Sequence, residues 1–205
     1  MSKLKVTTFL IALFLSVTGA VQETKTILFF GDSITAGYGI DEENAFPALI
    51  QAKTDSLNLN YRVVNAGLSG ETSAGGLRRV DWILQQHVDI FVLELGGNDG
   101  LRGIDPENTK ENLAGIMDKV KEKYPEALIV LTGMEAPPNM GRDYTESFRQ
   151  IYSELNEQYD VIFMPFILEG VAGDPDLNLA DGIHPTEEGH KIVAKNLWNY
   201  LKPVL

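Results

Sequence analysis

The chain predicts an α/β fold in which a five-stranded parallel sheet lies between helices, a three-layer α/β/α sandwich. Three observations point there. Short apolar runs alternate with longer amphipathic segments, no linker or repeat interrupts the alternation, and glycine-containing polar turns follow the apolar runs. The first run, 27–30, is Ile-Leu-Phe-Phe without a polar residue, as a strand covered on both faces requires. Further strands are expected at 62–64, 90–95, 128–132 and 161–164. Between and after them, helical patterning predicts helices at 46–54, 72–86, 109–123, 144–158 and 186–201. The longest irregular stretches, 133–142 and 169–184, leave the carboxyl side of strands, which makes them candidate substrate loops. Met134, Pro137, Pro138 and Met140 would supply an apolar wall there.

Length and charge narrow the function. The chain has 205 residues, enough for one domain with a substantial core. Residues 1–20 read as a removable export leader: Lys3 and Lys5 precede an apolar stretch from Val6 to Val17, and the small residues Gly19 and Ala20 follow. A periplasmic or secreted domain over 21–205 is the expected mature product. Removal of the leader deletes two lysines and no acids, so the net charge of −12 becomes −14. Such a surface repels nucleic acid and anionic membrane, and no stable membrane insertion of the mature chain is expected. With no cysteine there is neither a disulfide nor a site for lipid attachment after cleavage. Neither a metal-ligand pattern nor a nucleotide-binding glycine motif is present, and no cofactor is expected.

Four segments carry chemistry. Gly31-Asp32-Ser33-Ile34-Thr35 follows the first apolar run, placing the Ser33 hydroxyl at the carboxyl end of a strand, where α/β active sites gather. Asp32 reads as a turn and capping residue. In Asn65-Ala66-Gly67-Leu68-Ser69-Gly70-Glu71-Thr72, Gly67 stands where a loop able to approach an oxyanion would begin. Glu94-Leu95-Gly96-Gly97-Asn98-Asp99-Gly100 closes the third strand, and Asn98 offers a carboxamide N–H. In Asp181-Gly182-Ile183-His184-Pro185 the acid and the histidine can meet within one turn. Asp181 can accept from Nδ1–H of His184, leaving Nε2 to take the Ser33 proton. His87 reads as a helix-end residue, and His190 falls in a polar helix start.

Taken together, these blocks resemble the SGNH (GDSL) hydrolase superfamily, whose four name-giving positions are matched in order by Ser33, Gly67, Asn98 and His184, with Asp181 at its Asp-x-x-His acid. Within it, the stretches 30–39, 70–73 and 94–103 are most similar to the exported bacterial branch of acyl-CoA thioesterases, lysophospholipases and arylesterases. The resemblance implies a flavodoxin-like sandwich and an acyl ester or thioester substrate. It further implies an oxyanion hole built from the backbone N–H of Ser33 and Gly67 and the side chain of Asn98. A carbohydrate O-acetylesterase on the same scaffold and a non-catalytic binding module are the alternatives.

Overall fold

The computed structural model describes residues 23–205; the expected leader at 1–20 lies outside the described residues. Strand β1 (Lys25–Gly31) pairs on one side with β2 (Tyr61–Gly67) and on the other with β3 (Ile90–Glu94), and the sheet continues through β4 (Leu128–Thr132) and β5 (Ile162–Met164). All pairings are parallel and the order is β2-β1-β3-β4-β5. Strand order reverses between β1 and β3, so the crevice at their carboxyl ends is the topological switch point, where ligands bind in open α/β sheets.

The helices divide between the two faces. Helix α2 (Phe46–Ser56) packs against α7 (Glu187–Leu201), while α3 (Ser73–Ile83), α5 (Pro106–Lys123) and α6 (Arg142–Gln158) form the opposite layer. Two short helices, α1 (Ser33–Ala36) and α4 (Gly97–Arg102), follow β1 and β3 directly and were not anticipated from periodicity, being too short to show one. Ile27, Leu28, Phe29 and Phe30 are all fully buried because successive side chains enter opposite layers. Phe29 meets Phe46 of α2 edge-on at 5.5 Å, while Phe30 faces Gly76 of α3, where a Cβ would lie 3.1 Å from its ring. Burial of each such side chain stabilises the fold by about 1.5–3 kcal/mol.

Strand ends depart from the sequence expectation where the site is built. Strand β2 runs on past Val64 through Asn65-Ala66-Gly67, held by pairing that sets Gly67 opposite Gly31. Helix α5 starts earlier than expected, at Pro106, with Asp105 accepting from the Glu107 N–H at 3.0 Å as cap.

His190 on α7 is fully buried against the start of α2. Its Nδ1 accepts from the Phe46 N–H at 3.2 Å, the ring stacks on Phe46, and Nε2 has no hydrogen-bond partner among the described residues. Burial, and secondarily the His184 charge, lower its pKa to about 4. The unfolded chain therefore binds a proton here between about pH 6.5 and 4 that the native state does not. The contribution to stability is full above that window and is lost as pH falls through it. Replacing His190 by Gln, which can still accept from Phe46, is expected to flatten the fall in stability between pH 7 and 4.5 by up to about 3 kcal/mol. Urea midpoints of both proteins at each pH check this; a fall of the same size in both would remove His190 as its cause.

Candidate active site

Ser33 is the first residue of α1, immediately beyond β1. Its N–H is one of the unpaired donors of a helix start and makes no hydrogen bond among the described residues. The turn is fixed from two sides. Asp32 caps α1, its Oδ1 accepting from the Ile34 N–H at 3.0 Å. Glu94, from the end of β3, accepts at Oε2 from the Asp32 N–H at 3.3 Å, the Thr35 N–H at 3.2 Å and the Thr35 hydroxyl at 2.6 Å. Gly31 permits this approach: a Cβ there would stand 2.5 Å from Glu94 Oε2 and 2.1 Å from Thr35 Oγ1.

Asp181 and His184 arrive from the loop before α7. The His184 carbonyl accepts from the Leu179 N–H at 2.7 Å, and Asp181 Oδ1 accepts from the backbone N–H groups of Ile183 and His184 at 2.9 and 3.0 Å. Asp181 Oδ2 lies 2.7 Å from His184 Nδ1, and His184 Nε2 lies 2.9 Å from Ser33 Oγ. A carboxylate can only accept, so Nδ1 carries the proton and Nε2 faces the serine hydroxyl as acceptor. Partial burial works to raise the Asp181 pKa, but the hydrogen bonds from the His184 ring and from the two backbone N–H groups outweigh it and lower the value to about 2. The acid thus stays ionised at neutral pH.

Asn98 sits in the first turn of α4, entered through Gly96 at φ 116°, where a Cβ would meet the Tyr152 hydroxyl at 2.1 Å. Its Nδ2 donates to Asp32 Oδ2 at 3.1 Å, which fixes the carboxamide and leaves its second N–H without a partner among the described residues. Behind it lie two buried acids. Burial raises Asp32 to about 6 against the hydrogen bonds from Ile34 and Asn98. Burial and the charge of Asp32 push Glu94 well above the carboxylate range, and its Oε1 has no partner among the described residues.

Gly67 is not an available donor. It ends β2, its N–H donates to Asn65 Oδ1 at 3.0 Å, and a Cβ would fall 2.2 Å from the Ala36 backbone nitrogen, so it packs beneath α1. The sequence pattern ends the strand at 64 and puts Gly67 in a loop, whereas pairing with β1 carries the strand through Gly67. Gly70, at φ 79° in the following turn, has an N–H with no hydrogen bond among the described residues. Its carbonyl accepts from Arg102 Nη2 at 3.0 Å, and the same nitrogen donates to Asn98 Oδ1 at 3.4 Å, which draws Gly70 to the Asn98 carboxamide. The signal for Gly70 was its left-handed turn between Leu68 and Glu71, legible only once the end of β2 is known.

A cavity of about 590 Å³ opens beside these groups. Ile34, Gly97 and Ile183, the chain neighbours of Ser33, Asn98 and His184, line it together with Leu101, Met134 and Phe166. Both expected substrate loops contribute, including Pro137, Pro138 and Met140. His87 stands apart, exposed, paired with Asp89 at 3.3 Å and edge-on to Tyr124.

The profile of the GDSL-like Lipase/Acylhydrolase family matches residues 29–192, a span that contains every group described above. The chain belongs to this family. This GDSL hydrolase is 41% identical over 182 residues to the esterase TesA of Pseudomonas aeruginosa, which covers 88% of this chain and 90% of that one. It is 40% identical over 181 residues to the thioesterase 1/protease 1/lysophospholipase L1 of Escherichia coli K12, covering 88% and 85%. The solved structure of the psychrotrophic esterase EstA from Pseudoalteromonas, inhibited by monoethylphosphonate, superposes with a TM-score of 0.82 at 32% identity, covering 87% of this chain and 97% of that one. The GDSL hydrolase described here is accordingly an enzyme acting on ester bonds.

Gly67→Ala in this hydrolase should lower stability by about 1–3 kcal/mol, because the added methyl meets backbone and not a movable side chain. A urea midpoint unchanged from wild type would show that α1 is not seated on Gly67.

Proposed function

We propose that the enzyme is a serine esterase and thioesterase working through an acyl-enzyme on Ser33. The observation that carries this reading is the unbroken chain from Asp181 to His184 Nδ1 and from His184 Nε2 to Ser33 Oγ, 2.7 and 2.9 Å, beside a cavity lined by the chain neighbours Ile34 and Ile183. Ser33 Oγ forms a bond to the carbonyl carbon as its proton passes to His184 Nε2, and the carbonyl oxygen becomes an oxyanion. Three N–H groups are disposed to receive it: Ser33 N, Gly70 N and the second Nδ2 proton of Asn98. Collapse of the tetrahedral intermediate breaks the bond to the alcohol or thiol, which leaves with the proton from His184. Water, deprotonated by the same imidazole, then releases the acid and restores the hydroxyl. The inhibition of the EstA relative by a phosphonate supports this sequence, since a tetrahedral phosphorus mimics the intermediate.

Ser33→Ala should abolish turnover and labelling by a fluorophosphonate probe while leaving the fold intact. Asn98→Ala should depress kcat by about 10²-fold or more, with slower but detectable labelling. Wild-type turnover in the Ser33 variant would overturn the mechanism; an unchanged kcat with a raised KM in the Asn98 variant would remove Asn98 from the oxyanion hole.

A cavity of about 590 Å³ exceeds what an acetyl group fills. A series of nitrophenyl esters is therefore expected to peak at medium acyl length. A maximum at acetate would assign the enzyme to short acyl groups such as those of an O-acetylesterase.

A further inference from the structure

Tyr38 is half exposed, at 51%, yet its ring lies against the His184 imidazole with centroids 4.5 Å apart and planes tilted by 42°. It is held there by backbone. Its N–H donates to the Ser33 carbonyl at 3.0 Å, and left-handed glycines flank it, Gly37 at φ 75° and Gly39 at φ 82°. Gly39 packs on Leu179, in the loop that delivers Asp181 and His184. The Tyr38 hydroxyl makes no hydrogen bond among the described residues, so the residue offers solvent an aromatic surface without a polar anchor.

Tyr38 does not line the apolar cavity, whereas Ile34, Leu101 and Ile183 do. An ester with its acyl chain in that cavity and its carbonyl carbon at Ser33 Oγ must direct its other half elsewhere. The proton donated to the departing atom comes from His184 Nε2, which places the leaving group beside the imidazole at the moment of bond breaking. The aromatic ring in contact with that imidazole is Tyr38. We propose that Tyr38 forms the leaving-group subsite and that its exposed ring selects planar aromatic alcohols and thiols. The inference rests on the reading of Ser33 and His184 as nucleophile and base. Offset or edge-on contact between two rings gives the preference, and one polar rim atom suffices to keep the ring wetted when no substrate is bound.

The test holds the acyl group constant and changes only the alcohol: kcat/KM for the 2-naphthyl and the ethyl ester of one carboxylic acid, in wild type, Tyr38→Phe, Tyr38→Leu and Tyr38→Ala. The intrinsic difference in reactivity between the two esters cancels when the naphthyl-to-ethyl ratio is compared across variants. That ratio is expected to fall about three- to tenfold in the Ala and Leu variants and to stay within about twofold in the Phe variant, which keeps the π face. As a second readout, 2-naphthol should inhibit ethyl-ester hydrolysis competitively, with an inhibition constant weakened by the same factor in Tyr38→Ala. An unchanged ratio, or an equal loss on both esters, would overturn the proposal by showing that Tyr38 at most packs His184, and would leave the serine esterase reading standing. A wild-type enzyme that hydrolyses neither ester would bring down both.

Discussion

The three hydrogen bonds accepted by Glu94 Oε2 are the interaction on which the rest of the site depends. They tie the end of β3 to the turn that follows β1, so the serine and the Asn98 segment are set by one buried carboxyl and not by two independent loops. Placing a carboxyl there imposes the sequence around it. Position 31 has no room for a side chain, and the paired position 67 has none because α1 lies over it. The burial that makes the carboxyl an effective clamp also favours its neutral form, since two charges at Asp32 and Glu94 would repel in a poorly solvated space.

The site joins three elements with different kinds of support. Ser33 stands on the sheet and Asn98 on a short helix anchored through Asp32. Asp181 and His184 stand on a loop whose own backbone hydrogen bonds do much of the positioning. A guanidinium links two of the proposed oxyanion donors, Gly70 and Asn98: Arg102 reaches both the Gly70 carbonyl and Asn98 Oδ1 from the exposed side. It also sets a positive charge beside the Asn98 carboxamide, which in the proposed mechanism favours the developing oxyanion, in a chain that is otherwise strongly acidic.

How much of this the sequence revealed follows from how local each feature is. The five strands show as short apolar runs and the five longer helices as helical periodicity, and Asp181 with His184 needs only a turn to bring the pair together. Ser33 is legible because a run as apolar as 27–30 has to end at the edge of the sheet. Gly67 was misassigned for a non-local reason: whether Asn65-Ala66-Gly67 is strand or loop is decided by its pairing with Phe29-Phe30-Gly31, which no pattern within the segment reveals. Gly70 was obscured by the same shift. Glu94 read as the polar end of a strand, since its partners lie about sixty residues earlier in the chain. Tyr38 appeared only as part of a motif, its contact with His184 being a product of two glycine turns and the packing of Leu179.

The distance along the chain between Ser33 and His184 has its own consequence. Ser33 and His184 are 151 residues apart and meet only when the last helix has docked on the face that also carries α2. Contacts of such long separation form late, because the entropy of closing the intervening loop must be overcome before they contribute. Under the proposed mechanism, the serine emerges early during synthesis but without its base, and stays an ordinary hydroxyl until nearly the whole polypeptide has been made and folded. On that mechanism incomplete chains are chemically silent, and docking of the closing helix is the step that arms them.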